Sequence, residues 1–132
     1  MKINFKSTIL QNGETKEFDF TALVDIDRYE DMDTFSFTEP TQNVANRIEI
    51  SHKKINIFAG PTTLFIEKDK NLASPFILNT PDGKVMEVNF YTRLLNLEID
   101  PLNKYKFEYI LYRLNDYQED VIGNFKIELT IS

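Results

Sequence analysis

Apolar and polar residues alternate along most of this chain, and a period of two marks strands that bury one face and wet the other. Ile3, Phe5 and Ile9 share one face of a first strand. Phe18, Phe20, Ala22, Val24 and Ile26 give an unbroken alternation in a second. Between the two stands Asn12-Gly13. It is the strongest short hairpin signal in the chain, because both central positions of a type I′ turn need positive φ.

The same period continues downstream. Phe35 and Phe37 mark a short third strand that Glu39-Pro40 ends, and Ile48 with Ile50 and Ile55 with Ile57 mark two more. Leu64 with Ile66, then Phe76 with Leu78, follow the break at Gly60-Pro61. Met86, Val88 and Phe90 are in phase with one another, and Leu95, Leu97 and Ile99 are in phase in the opposite register. A one-residue slip inside a continuous apolar segment predicts a bulge near Tyr91–Leu94. Phe107, Tyr109 and Leu111 form the penultimate strand, and Phe125, Ile127, Leu129 and Ile131 the last, after a kink at Gly123-Asn124. No long segment holds a helical pattern in preference to an alternating one, although residues 40–47 have room for one helical turn.

Nine or ten strands joined by short connections form an antiparallel meander. Left open, it exposes two bare edges that invite aggregation, and closure with pairing of the first and last strands removes them. The expected fold is a single all-β domain over residues 1–132, an antiparallel, mainly up-and-down barrel of about eight to ten strands. A two-sheet sandwich is the alternative.

Composition narrows the function classes. Against 15 Lys and Arg stand 21 Asp and Glu, for a net charge of -6. That balance opposes nucleic-acid binding, which runs on phosphate neutralisation, and docking on an anionic membrane surface. The absence of cysteine removes disulfides, thiolate chemistry and sulfur-ligated zinc. The alternating N-terminus is not a secretory signal, and no apolar run approaches the roughly 20 residues of a membrane span. The expectation is a soluble, cytoplasmic protein. Its wealth of Ile, Asn, Lys and Phe suggests an AT-rich bacterial genome.

The C-terminal half resembles the YwiB-like family of small bacterial proteins of unknown function. The resemblance lies in Glu87–Asp100, Tyr105–Tyr112 and Gly123–Ile127. The Ile3–Ile9 and Phe18–Ile26 strands fall where that family has them, so the whole chain is covered. The resemblance implies a calycin-type barrel, the architecture of lipocalins and fatty-acid-binding proteins, with no active site to carry over.

Candidate chemistry is sparse. Asp25, Asp27, Glu30, Asp31 and Asp33 crowd nine residues, but an EF-hand loop needs a ligand where Tyr29 stands and a glycine where Glu30 stands. Their simplest role is a solvated strand end, and no metal is expected. Ser51 and His52 are neighbours in the chain, so they point to opposite sides of a strand and make a poor nucleophile–base pair. No phosphate-cradling loop or nucleophile elbow appears. Scattered acids without tryptophan platforms give no glycosidase signal. The chain is expected not to be an enzyme and to use no cofactor.

The aromatics carry what signal there is. Eleven Phe and six Tyr are present. Phe18, Phe20, Phe90, Phe107, Tyr109 and Phe125 fall on inward faces. A barrel of about eight strands is near the size at which side chains fill the interior or leave space for one small ligand. Arg93 and Arg113 each extend an apolar face toward a barrel mouth, where guanidinium groups suit an acidic headgroup. Bonded instead to surface acids, they would carry no such meaning. Two readings follow. In one, these eight residues bind a small apolar or amphipathic ligand in the barrel. In the other, a packed barrel meets a protein partner through its acidic surface or an exposed strand edge.

Overall fold

The computed structural model describes the backbone of residues 1–132 and every side chain except those of Ile77 and Leu78. Leu78, expected to share a face with Phe76, therefore has its side chain outside the described residues. Alternation produces ten strands: β1 (Lys2–Gln11), β2 (Glu14–Tyr29), β3 (Met32–Glu39), β4 (Val44–Ile50) and β5 (Lys54–Ala59). The chain continues as β6 (Thr62–Glu67), β7 (Asn71–Asn79), β8 (Val85–Asp100), β9 (Lys104–Asn115) and β10 (Gln118–Ile131). Residues 40–47 hold a turn and the start of β4, not a helical turn, because Ala45 and Arg47 already pair with Thr38 and Ser36 of β3. The described residues contain no helix long and apolar enough to cross a membrane.

All ten strands belong to one antiparallel sheet in the order β6-β5-β4-β3-β2-β1-β10-β9-β8-β7. The first and last strands pair as expected, in register from Ile3 with Ile131 to Leu10 with Asn124. That pairing joins the two halves of the meander, so the curled sheet meets itself between consecutive β6 and β7. There the seam is bridged by a side chain: Thr92 Oγ1 on β8 donates to the Phe65 carbonyl on β6 at 2.6 Å. The result is a nearly closed barrel.

The expected slip in β8 is a register shift between Leu94 and Asn96, and a second shift lies between Val121 and Gly123 on β10. Thr92 and Leu94 precede the first bulge on the inward face, and Leu97 and Ile99 resume it afterwards. Ile3, Phe35, Ile48, Ile55, Ile66, Phe107 and Leu129 are all buried in a continuous core.

We call upper the end that carries the β1–β2, β3–β4, β5–β6, β7–β8 and β9–β10 turns. Asn12 and Gly13 have φ of 54° and 74°, as their type I′ turn demands. β2 and β3 are unequal. β2 runs 16 residues and β3 only 8, since Pro40 stops it. Their ladder runs from Tyr29 with Met32 up to Val24 with Phe37. Above Val24, β2 pairs on one side only, with β1.

Candidate functional site

The inward aromatics are divided among separate packed groups. Phe20 stacks on Phe5 at 5.0 Å between ring centroids and lies 6.0 Å from Phe37. Tyr109 lies parallel to Phe125 at 5.0 Å and to Phe107 at 6.2 Å. Phe90 meets Phe76 edge-on at 4.8 Å. Phe18 stands apart, inward in phase yet 51% exposed at the upper end. The eight candidate residues thus do not converge on one point.

The middle of the barrel is occupied by its own side chains. Phe35 on β3 and Tyr105 on β9 touch edge to face at 5.0 Å, although three strands separate them in the sheet order. The Tyr105 hydroxyl also donates to Asp33 Oδ2 at 3.1 Å. Opposite walls are therefore in contact. Burial first, and then the Asp33 carboxylate, push the Tyr105 phenol up to about 12.

The two arginines have different fates. The bulge follows Arg93, so Arg93 takes the phase opposite to Thr92 and Leu94 and lies on the outer face, not at the mouth. It donates from Nε to Asn71 Oδ1 at 2.9 Å, pairs with Glu119 and covers the Tyr112 ring at 5.1 Å. Its hydrogen bonds to Glu119 raise its pKa. Arg113 keeps the phase of Tyr109 and Leu111 but sits at the exposed rim, donating from Nε to Asp120 Oδ2 at 2.9 Å. Each guanidinium already holds a carboxylate.

Among the described residues no hydrogen bond joins Ser51 to His52. Ser51 Oγ accepts the backbone N–H groups of Lys53 and Lys54 at 3.2 and 3.0 Å, which builds the β4–β5 turn, while His52 is exposed. Among the acids, Asp33 is engaged by Arg28 Nη1 at 2.8 Å and by Tyr105. Asp27 Oδ1 accepts the Arg28 N–H at 2.8 Å. The described residues bring no three such groups into a metal-binding arrangement.

A concavity lies in the barrel wall. A cleft of about 860 Å³ opens where the upper part of β2 leaves β3, with Thr21, Leu23, Thr38, Ala45, Arg47 and Phe58 on its walls. Pro40 and Gly60 close its upper end. Cross-strand register explains the grouping: Asp25, Ser36, Arg47 and Phe58 are successive partners across β2 to β5 and share the outer face. Arg47 Nη2 donates to Glu49 Oε2 at 2.9 Å, and Asn56 Nδ2 donates to Glu49 Oε1 at 3.1 Å, which fixes the guanidinium at the lower wall. Glu39 ties the β3–β4 turn by accepting the N–H groups of Gln42 and Thr41 at 2.6 and 2.8 Å. Those bonds, Gln42 foremost, hold its carboxyl below the ordinary range.

Sequence patterning missed this cleft because it joins outward positions such as Leu23, Arg47 and Phe58 to inward Ala22 and Phe37, residues that meet only through strand pairing. One signal was present. Five alternating apolar residues in β2 against two in β3 already implied that β2 outruns its neighbour.

No family model matches the chain. An uncharacterised protein from Mycoplasmopsis pulmonis is 30% identical over 133 residues, spanning 99% of this chain and 98% of that one. This chain belongs to the same family. Among solved structures, the crystal structure of the ywiB protein from Bacillus subtilis superposes with a TM-score of 0.62, over 99% of this chain and 90% of that chain. The two are 11% identical, so the likeness is one of fold. The family accordingly has the ywiB barrel fold that the strand patterning resembled. Its Mycoplasmopsis pulmonis member is uncharacterised and adds no function to the comparison.

Proposed function

We propose that this protein is a non-enzymatic interaction module that meets a protein partner through its acidic surface or an exposed strand edge. The observation that carries the reading is the contact of opposite walls at Phe35 and Tyr105, which leaves the barrel centre filled with its own side chains. Unpaired backbone on the upper part of β2 offers a surface of another kind. Native mass spectrometry of the purified protein, followed by denaturing extraction, tests it. The expected result is a mass equal to the chain alone. A stoichiometric small molecule would overturn the module reading in favour of a carrier.

The cleft favours a second reading, a small apolar or amphipathic ligand held in the wall. Its volume lies within the roughly 300–1,000 Å³ of ligand sites. Leu23 and Phe58 offer apolar surface beside the Arg47 guanidinium. An anionic amphipathic dye such as anilinonaphthalene sulfonate is the probe. On this reading Ala45→Phe, at an exposed wall position, blocks dye binding and leaves the melting temperature in place. Dye binding equal to that of the unmodified chain would dismiss it.

A further inference from the structure

Whatever meets β2 must satisfy both its backbone and its two rows of side chains, and the register defines each. Val24 donates its N–H toward β1, to the Met1 carbonyl at 3.0 Å. Lys2 exchanges both backbone bonds with Ser132, so even-numbered residues of β1 face β10 and odd-numbered ones face β2. Ile3, Phe5, Ser7 and Ile9 are opposite Ala22, Phe20, Phe18 and Lys16. The even-numbered residues of β2 therefore spend their backbone groups on β1. The N–H and C=O groups of Thr15, Glu17, Asp19 and Thr21 point the other way, to the side where β3 has already ended.

Side chains alternate in step with the backbone. Residues whose amides face the bare edge turn their side chains to the outer face, where Glu17, Asp19, Asp25 and Asp27 form an acidic row along β2. Lys6 faces Asp19 from β1. Among the described residues none of the four acids is in an ion pair. Residues of the other phase, Phe18 and Phe20, turn inward. Phe18 is half exposed because no neighbouring strand covers it on the bare side.

From this edge we infer the class of partner: an extended segment alternating apolar and basic residues, which adds to β2 as the missing upper half of β3. Residues of the segment that exchange backbone bonds with Glu17 and Asp19 stand beside those carboxylates on the outer face, and Lys or Arg suits them. The residues between them lie beside Phe18 and Phe20 on the inner face, and an apolar side chain completes the wall there. Charges on an edge strand also discourage pairing with apolar strands that lack a matching row, so the same acids serve selectivity. The inference rests on the interaction-module reading and specifies its partner.

The test uses the full chain and a labelled peptide of about eight residues, a usual strand length, alternating Lys and Val. Fluorescence anisotropy compares it with a Glu/Val alternate and with a shuffled Lys/Val peptide. The alternating Lys/Val peptide is expected to bind at least about tenfold more tightly than either control. On binding, the amides of Glu17, Asp19 and Thr21 slow in hydrogen exchange. Glu17→Pro deletes a free donor and no ladder bond, so it abolishes binding while the melting temperature holds. The pair Glu17→Lys with Asp19→Lys reverses the preference to the Glu/Val peptide, which keeps the test sound if the proline variant fails to fold. Equal binding of the shuffled peptide, or binding without protection of those three amides, overturns strand addition but leaves the module reading standing. No binding of any peptide overturns this partner class. Protection of the same amides in a peptide-free dimer makes the occupant a second copy of the chain. The module reading itself falls only by the extracted small molecule.

Discussion

Tyr117 carries a local conflict that a single substitution relieves. It occupies the second position of the β9–β10 turn with φ of 64° and is fully exposed, while Asp116 before it has φ of 51°. A side chain in the left-handed region costs about 1–2 kcal/mol where glycine costs nothing. The β1–β2 turn solves the same geometry with Asn12-Gly13. Tyr117→Gly should therefore stabilise the fold by about 1 kcal/mol, less the extra freedom glycine gives the unfolded chain, as read by urea denaturation. An unchanged or lower midpoint would show that the Tyr117 ring makes contacts in solution that offset its strain.

Among the elements, β8 shows how one residue redirects a strand. Leu95 sits at the register shift and is half exposed, whereas Leu97 resumes the inward face against the core. The bulge thus separates two leucines that periodicity groups together. Leu95→Ala should change stability by less than about 0.5 kcal/mol, as surface substitutions usually do. Leu97→Ala should cost about 2 kcal/mol through lost burial and a residual cavity. Thermal unfolding of the two variants measures the contrast, and equal losses would move the bulge. The same device explains Arg93. A bulge placed N-terminal to it would have turned it inward; placed at Leu95, it leaves Arg93 on the outer face over Tyr112.

For the molecule as a whole, closure and the filled centre are the features to probe. Thr92 is fully buried and supplies the side-chain bond that holds β8 to β6 across the seam. Thr92→Val keeps the volume but strands the Phe65 carbonyl, at a cost of about 1–3 kcal/mol. Ser74 is equally buried on β7, and its Oγ has no hydrogen-bond partner among the described residues. Ser74→Ala should be neutral or stabilising, since no bond is lost. Guanidinium melts of both variants check the pair, and a destabilised Ser74→Ala would reveal a partner for that hydroxyl.

Two buried tyrosines add a pH signature. Burial raises the phenols of both Tyr105, to about 12, and Tyr109 above their ordinary value. A folded-state pKa above the unfolded one, about 10 for tyrosine, means these groups contribute stability that is fully present below pH ~10. It is lost as pH rises through the folded-state values. The melting temperature should fall steeply above pH ~10, and Tyr105→Phe or Tyr109→Phe should flatten the fall. An identical alkaline profile in both variants would assign the loss to other groups.

Strand identity, the Asn12-Gly13 turn, the slip in β8 and the pairing of the two end strands were all legible along the chain. Each depends on local alternation or on a rule about neighbouring elements. The inward phase of Phe20, Phe107, Tyr109 and Phe125 was equally legible. Their division into separate stacks was not, because it depends on how far the sheet curls before opposite walls touch. The cleft was hidden for a related reason. Leu23, Arg47 and Phe58 lie far apart in sequence and meet only through the register of β2 to β5 and the early end of β3. Alternation gives each residue a face, and so it determines the strands and their inner and outer rows. Long-range pairing decides which rows become neighbours, and here that choice filled the centre and left one edge of β2 bare.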